Sequence, residues 1–186
     1  MKKLSIVLVL FLIPLKISLA DICAGASISA PESTPTSRFE YEIDGLTVVD
    51  KQTGLMWARC QFGYDWSVLE KSCFYLDNSV ESSLSWKSAL KMVVNNNASD
   101  APYLGYSDWR LPNIKELASI VERKCNSPAI NSEVFSGGTP SPFWSNTHVE
   151  GAAQIRIINF KTGQVGGAGS NDKLHLRLVR DIPDSE

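Results

Sequence analysis

The segment SDWRLPNIKEL, residues 107–117, carries the clearest structural signal in this chain of 186 residues. Pro112 restricts the residue before it to extended backbone angles, and Asn113 can accept hydrogen bonds from the first N–H groups of a helix. Glu116 follows three residues later, the spacing at which its carboxylate binds the N–H of the cap. The segment therefore predicts an extended strand that changes abruptly into a helix at Asn113. Four apolar residues at helical spacing form the buried face: Ile114, Leu117, Ala118 and Val121.

Shorter elements are predicted on both sides of this segment. The second helix is predicted to close at residues 122–124, where two cations suit a helix C-terminus. Ser85 can cap an earlier helix that ends at residues 95–97 and buries one face: Trp86, Ala89, Leu90 and Val93. Alternating apolar residues and turn signals predict six strands: residues 38–43, 46–50, 55–60, 142–147, 153–160 and 174–179. Residues 61–76 are predicted as an aromatic loop, and the glycine-rich residues 163–169 as a loop or a bulged strand. Together these elements predict an α+β fold.

The N-terminus has the pattern of a secretory signal peptide. Two lysines follow the first methionine, an apolar run covers residues 4–15, and small residues end at Ala20. This pattern predicts a signal peptide over residues 1–20 that is cleaved after Ala20. A membrane anchor is disfavoured, because Pro14 and Lys16 interrupt a run that is too short to span a bilayer. We therefore expect no membrane span after cleavage, and a protein that is secreted or located in the periplasm or cell envelope.

The mature chain is expected to contain one domain. A leader rich in serine and proline covers residues 21–37, and residues 38–182 are predicted to form a single domain of ordinary size. The whole chain has 18 basic and 20 acidic residues, and three of the basic ones lie in the signal peptide. The mature formal charge is therefore 15 minus 20, or −5. This charge argues against nucleic acid or an anionic membrane as a general partner.

All four cysteines lie in the mature chain, and an even number in an exported protein predicts two disulfides with three alternative pairings. Cys60 and Cys73 flank the aromatic loop, and we predict that they pair because that loop has no other evident closure. Cys23 and Cys125 remain, and their bond would fasten the leader to the end of the second helix. Zinc is the alternative use of four cysteines, but no C-x₂-C pair occurs.

Patterns of catalytic residues are mostly missing from the sequence. It contains no G-x-S-x-G or H-E-x-x-H motif and no phosphate-binding loop. His148 and His175 lie in strand-like segments and are interpreted as surface or structural residues. Glu40, Glu42 and Asp44 alternate along one strand, which suits either Ca²⁺ binding or a solvated edge, and the solvated edge is the preferred interpretation. We therefore expect no enzyme activity, no metal site and no cofactor.

Aromatic side chains outside the periodic elements are the remaining candidates for a binding site. Tyr64, Trp66 and Tyr103 are the residues that we expect to stack on a sugar ring, if one is bound. The alternative is that they seal their loops onto the domain. Trp57 lies on a strand with Leu55 and is predicted to be a core residue. Three arginines are predicted to form a half-buried polar network with acids or carbonyl groups: Arg110, Arg177 and Arg180.

Several motifs occur in a fixed order along the mature chain. The first is DxxTGLMWxxC over residues 50–60, and the central one is GxSDWRLPNIKEL over residues 105–117. The shorter motifs WxxAL, PAIN, FWS and VR begin at Trp86, Pro128, Phe143 and Val179. Together these motifs resemble the Lcl C-terminal domain family, the domain that ends a collagen-like bacterial adhesin and is otherwise of unknown function. The resemblance covers about residues 23–181, almost the whole mature chain.

The resemblance implies a C-type lectin-like α+β fold, with two helices beside curled antiparallel sheets that are stapled by disulfides. It also implies an exported binding or adhesion module, because the adhesin member binds glycans or glycosaminoglycans. The partner would then be a glycan or another component of a host or envelope surface. The Glu-Pro-Asn, Gln-Pro-Asp and Trp-Asn-Asp signatures of Ca²⁺-dependent lectins are missing, so a sugar would be bound without Ca²⁺. A collagen-like stalk is also missing, so an oligomer is possible but is not implied.

Two other functions are compatible with the sequence. One is a structural or assembly component of the bacterial envelope. The other is an envelope enzyme that uses a free thiol, since C-type lectin-like folds also host enzymes. Titration of free thiols in the native protein separates the cysteine enzyme from a binding module, and a pull-down from native membranes separates an assembly component from both.

Overall fold

A computed structural model describes residues 22–76, 81–137 and 139–183, so the predicted signal peptide lies outside the described residues. The described chain has two α-helices, α1 (Trp86–Asn97) and α2 (Ile114–Ser119), and two 3₁₀ helices, Thr36–Arg38 and Tyr103–Gly105. Its strands, in chain order, are β1 (Ala26–Ser27), β2 (Phe39–Tyr41), β3 (Thr47–Asp50), β4 (Leu55–Ala58), β5 (Tyr64–Ser67), β6 (Ser72–Tyr75), β7 (Cys125–Asn126), β8 (Pro142–His148), β9 (Gln154–Asn159), β10 (Gln164–Gly169) and β11 (Val179–Asp181). None of the helices in these ranges is long and apolar enough to cross a membrane.

The strands form small antiparallel sheets. The largest has four strands in the order β11–β4–β3–β2, and a second has the order β10–β9–β8. Strand β1 pairs with β7, and β5 pairs with β6. Helix α2 packs against β8 and β9. The two helices and the antiparallel sheets confirm the predicted mixture of α and β structure.

Buried side chains form two main clusters. The first joins the four-stranded sheet to α2 and includes Trp57, Leu117 and Phe135. The second joins α1 to the segment before α2 and includes Trp109 and Trp144. Trp57 is fully buried, which confirms its predicted place in the core.

The transition from strand to helix follows the prediction closely. The backbone of Arg110 exchanges hydrogen bonds with that of Val179, with N···O distances of 2.9 and 3.1 Å, so the segment before the proline is extended. The Asn113 side chain accepts from the Glu116 N–H at 2.9 Å, and Oε2 of Glu116 accepts from the Asn113 N–H at 2.7 Å. The capping box is therefore confirmed, and it fixes where the helix begins.

We expect Asn113→Ala to lower the free energy of unfolding by about 1 kcal/mol, because the first helical N–H groups lose their acceptor. The change should not affect ligand binding. Equilibrium denaturation in urea measures the loss, and Lys115→Ala in the same helical turn is the control, expected within about 0.5 kcal/mol of wild type. A loss well above 2 kcal/mol, the upper end of cap measurements, would show that Asn113 has a tertiary role as well.

The end of α2 differs from the prediction. The helix ends at Ser119, and Val121 forms a β-bridge with Ile130 in place of a further helical turn. Residues 122–124 therefore lie beyond the helix, and Glu122 is fully buried. The two cations that follow Glu122 favour a helix terminus locally, but a contact with the leader determines the position of Glu122.

The buried carboxylate of Glu122 holds the leader in place. Its Oε2 accepts from the backbone N–H and the hydroxyl of Thr34 at 2.6 and 2.9 Å, and its Oε1 accepts from the same groups of Ser33 at 3.0 and 3.1 Å. Burial alone would raise the pKa of Glu122, but these donors and the N–H of Lys124 outweigh it and lower the pKa. These hydrogen bonds, together with the pairing of β1 with β7, hold a leader that has few apolar residues.

The lowered pKa makes Glu122 a source of acid sensitivity. The stability that it contributes is fully present above its ordinary pKa of 4.5, and it is lost as the pH falls through the lower pKa of the folded state. We expect the free energy of unfolding of wild type to fall more steeply between about pH 5 and about pH 3 than that of Glu122→Gln. Urea denaturation at a series of pH values tests this, and parallel curves would contradict it.

The predicted network of three arginines divides into two kinds of contact. Two of the arginines pair with acids near the surface: Arg110 with Glu116 and Asp181, and Arg180 with Asp108. Arg177 is buried and donates instead to the backbone carbonyl oxygens of Ala58 and Arg59. The prediction of acids or carbonyl groups as partners is confirmed, but the three side chains do not form one network.

Both predicted disulfides are confirmed. Cys23 pairs with Cys125, with Cα atoms 5.3 Å apart, and Cys60 pairs with Cys73, with Cα atoms 5.6 Å apart. The first bond fastens the leader beside β7, and the second closes the chain between β4 and β6. No cysteine of the described residues is free. Two disulfides indicate an oxidising compartment.

The prediction of an aromatic loop over residues 61–76 is wrong, because this range contains two strands. They form the antiparallel hairpin β5–β6, in which Tyr64 lies opposite Tyr75 with ring centroids 5.2 Å apart. Cross-strand aromatic pairs stabilise such hairpins. Tyr64 and Trp66 alternate with polar residues as in a half-buried strand, but Phe74 and Tyr75 are adjacent in β6 and lie on opposite faces, which obscures the alternation there.

Two further strand predictions need correction. Residues 163–169 were predicted to form either a loop or a bulged strand. They contain the regular edge strand β10. A Cβ at Gly167 would lie 2.8 Å from Oε1 of Gln154, so a larger residue there would require this flexible side chain to move. Residues 174–179, predicted as one strand, make only isolated bridges before β11 begins at Val179.

Candidate functional site

The clearest candidate site is a pocket of about 430 Å³ on the surface. It lies where the hairpin β5–β6 and the end of β2 meet the residues that follow β7. We call it the Trp66 pocket and define it by its lining residues: Tyr41, Arg59, Trp66, Val68, Lys71, Ser132 and Glu133. Its lining residues therefore come from four separate parts of the chain.

The guanidinium group of Arg59 forms the floor of the Trp66 pocket. Its central carbon lies 3.5 Å from the ring centroid of Trp66 and 4.5 Å from that of Tyr41. The edges of the group are bound by backbone carbonyl oxygens, that of Gly45 at 2.8 Å and that of Val134 at 3.0 Å. Burial lowers the pKa of Arg59, and the nearby Tyr41 opposes this effect. An arginine fixed in this way holds both aromatic rings in position.

The rim of the pocket carries one apolar and several polar side chains. Val68 is 72% exposed and lies in the turn of the hairpin, as does Lys71. Glu133, which also lines the pocket, accepts a hydrogen bond from the hydroxyl of Thr36 at 2.7 Å. The backbone N–H of Ser132 donates to the carbonyl of Ile22 at 2.7 Å. The leader thus supports the wall of the pocket directly.

The structure separates the three aromatic residues proposed from the sequence. Trp66 lines the pocket, whereas the ring of Tyr64 packs against Tyr75 on the same hairpin. Tyr103 lies elsewhere, with its ring 6.2 Å from those of both Phe62 and Trp109, and burial raises its pKa to about 12. Tyr103 therefore packs its loop against the second core cluster, whereas the contact of Tyr64 lies within its own hairpin.

Sequence reasoning missed Tyr41 and Arg59 as residues of the site. Tyr41 follows the buried Phe39 by two residues, so the strand period places both on one face of the sheet. This spacing is a signal in the sequence that could have indicated the position of Tyr41. Arg59 precedes Cys60 at the end of β4, and nothing in its local sequence indicates a stack on Trp66. Such a contact arises only when the hairpin folds back over β4.

The histidines and the alternating acids make contacts of other kinds. Nδ1 of His175 lies 2.8 Å from the carbonyl oxygen of Ser82, and burial lowers the pKa of this imidazole. The ring of His148 packs on the edge of Trp86, with centroids 4.9 Å apart. Asp44, one of the three alternating acids, accepts from a backbone N–H in its own turn. Within the described ranges, no group of three or more His, Cys, Asp or Glu side chains could hold a metal ion.

Comparison with known proteins agrees with the motifs along the chain. The model of the Lcl C-terminal domain matches residues 46–180. The chain belongs to the Lcl C-terminal domain family. Within this Lcl C-terminal domain, Arg59 and Trp66 fall inside the matched range, whereas Tyr41 precedes it. The residues that line the pocket thus lie inside the matched range, except for Tyr41. No curated protein matches the chain.

Proposed function

We propose that this Lcl C-terminal domain is an exported binding module that holds a saccharide ring in the Trp66 pocket without Ca²⁺. The observation that carries the proposal is the fixed stack of Tyr41, Arg59 and Trp66 beside an open pocket. The C–H face of a sugar ring is apolar enough to pack on an aromatic wall, while its hydroxyl groups can bind polar groups at the rim.

The stack supports binding because it is formed before any ligand arrives. The Arg59 guanidinium is held by carbonyl oxygens on its edges, so Trp66 and Tyr41 need little reordering when a ring packs on them. A site that is already ordered binds more tightly, since less conformational entropy is lost. Lys71, Ser132 and Glu133 supply both donors and acceptors within reach of the pocket.

The proposal includes the compartment and the detailed fold class. We propose that the signal peptide is cleaved after Ala20 and that the mature protein is located outside the cytoplasm. We also propose that its helices and sheets have a C-type lectin-like arrangement. Its partner would be a glycan on a host or envelope surface. Support comes from the two disulfides and from the leader, which Glu122 and Cys125 fasten to the domain.

A glycan array on the mature protein, run in the presence of EDTA, is the first test. We expect binding to a defined set of glycans that does not depend on Ca²⁺. Isothermal titration with a glycan from that set then compares wild type with Trp66→Ala, which we expect to weaken binding at least about tenfold, as for a central aromatic contact.

Phe74→Ala is the matched control for this titration. Phe74 is an exposed aromatic residue on β6 of the same hairpin, but it does not line the pocket. The control should bind like wild type, and melting curves of both variants show whether the hairpin is intact. Absence of any glycan signal, or wild-type affinity in a folded Trp66→Ala protein, would contradict the proposal.

A further inference from the structure

Three exposed aliphatic side chains occur in two turns at one corner of the molecule. Ile43 lies in the turn after β2, and Val68 and Leu69 lie in the turn between β5 and β6. Among the large hydrophobic side chains of the described residues, these three are the most exposed, and we call them the turn patch. Single hydrophobic residues are common on protein surfaces, but several of them in turns, where polar residues and glycine are usual, indicate an interaction site.

The contacts of Arg59 bring the two turns of the patch together. Its Nη1 donates to the carbonyl oxygen of Gly45, two residues after Ile43, at 2.8 Å. Its guanidinium carbon lies 3.5 Å from the ring centroid of Trp66, two residues before Val68. The two turns are therefore neighbours in the folded protein before any partner binds.

The two segments that carry the turn patch are strongly acidic. Residues 39–45 and 64–75 contain five acidic residues and one lysine, a net charge of −4, whereas the whole chain has a formal charge of −2. The five acidic residues are Glu40, Glu42, Asp44, Asp65 and Glu70. In the part of the chain that the structure describes, no ion pair involves any of their carboxylates. The patch thus combines exposed apolar surface with negative charge that has no cation bound to it.

We propose that the turn patch binds a basic segment of a partner protein. Aliphatic side chains of the partner pack on the turn patch, and its lysine or arginine side chains lie opposite the acidic residues. Charge disfavours two other occupants. A membrane would bring these carboxylates close to its apolar interior, and a second copy of the chain, related by a two-fold axis, would place the same acidic segments against each other.

The inference does not depend on the proposed function. Ile43 and Leu69 do not line the Trp66 pocket, so the turn patch extends beyond that pocket. A protein segment and a saccharide can therefore be tested separately, each with its own variant and its own ligand.

Calorimetric titration with three synthetic peptides tests the chemistry of the partner. The first peptide repeats leucine and lysine at helical spacing, the second has glutamate in place of lysine, and the third has serine in place of leucine. We expect the first peptide to bind wild type at least about tenfold more tightly than either of the others, because it alone supplies both apolar and basic groups. Equal affinity for the first peptide and for either of the others would overturn the proposal.

The double substitution Ile43→Ser and Leu69→Ser tests where the first peptide binds. Both side chains are exposed, so Tm should change little, while the affinity for the peptide should fall at least about tenfold. Val94→Ser, at an exposed valine of α1, is the control and should bind the peptide like wild type. Wild-type affinity of the double variant for the peptide would overturn the proposal, whatever the result of the glycan titration.

Two further measurements test the other occupants of the turn patch. Analytical ultracentrifugation over a range of protein concentrations detects a second copy, and flotation with phosphatidylcholine vesicles detects a membrane. We expect wild type and the double variant to behave alike in both measurements. A dimer or a vesicle-bound fraction that wild type forms and the double variant loses would overturn the proposal.

Discussion

Replacing Trp109 with alanine is expected to lower the free energy of unfolding by about 3–5 kcal/mol. The indole is 1% exposed and packs edge to face against Tyr103 and Tyr106, with ring centroids 6.2 and 6.0 Å away. Its Nε1 donates to the carbonyl oxygen of Tyr103 at 2.6 Å. Alanine removes these interactions and leaves a cavity in the cluster that joins α1 to the capped segment. Urea denaturation at equilibrium measures the loss.

Phe74→Ala serves as the control for this large effect as well. Phe74 is 44% exposed on β6, so its truncation should cost less than about 1 kcal/mol. If Trp109→Ala also cost under about 1 kcal/mol, the indole could not be part of a packed core in solution. This result would contradict the claim that residues 107–117 lie at the centre of the fold.

Removing the bond between Cys23 and Cys125 is expected to cost about 4–5 kcal/mol in the chain-entropy model. The bond joins residues 102 apart in sequence, so its loss greatly enlarges the unfolded ensemble. The double substitution Cys23→Ser and Cys125→Ser leaves the leader held by noncovalent contacts alone, among them the hydrogen bonds of Glu122 to Ser33 and Thr34 and the pairing of β1 with β7. The free energy of unfolding in urea, compared with wild type, gives the effect.

The other disulfide provides a matched comparison. Cys60 and Cys73 are 13 residues apart, and the chain-entropy model gives about 3 kcal/mol for a loop of that length. We therefore expect the double serine variant of this pair to be the more stable of the two. The reverse order would mean that the packing around each bond in the folded state, and not loop closure in the unfolded state, decides the cost of its removal.

Local signals explain why much of the fold could be predicted. The capping box at Asn113 and Glu116 depends on residues three apart, so the sequence alone determines it. The same holds for the N-cap of α1 at Ser85, whose hydroxyl accepts from the N–H of Ser88. The disulfides could be assigned because Cys60 and Cys73 flank one short loop and leave a single remaining pair.

Interactions between distant parts of the chain explain what could not be predicted. Glu122 lies in a context that suits a helix end, and only its hydrogen bonds to a leader nearly ninety residues earlier show its actual role. In the candidate site, Trp66 could be named because it is an aromatic residue without a periodic face. Its partner Arg59 could not, since the stack between them depends on how the hairpin β5–β6 folds against β4. Tyr103 is also an aromatic residue of a segment predicted as a loop, but the structure packs it, half-buried, against Phe62 and Trp109.

The most direct test of glycan binding in the Trp66 pocket is a calorimetric titration of three proteins: wild type, Val68→Arg and Leu69→Arg. The ligand is one glycan that binds the wild-type protein on the array. Val68 lines the pocket, whereas its neighbour Leu69 is 96% exposed on the same turn and does not. Because both side chains are exposed, neither substitution should change Tm appreciably. We expect Val68→Arg to raise Kd at least about tenfold and Leu69→Arg to leave it within about twofold of wild type. Equal affinities of the two variants would contradict binding in this pocket.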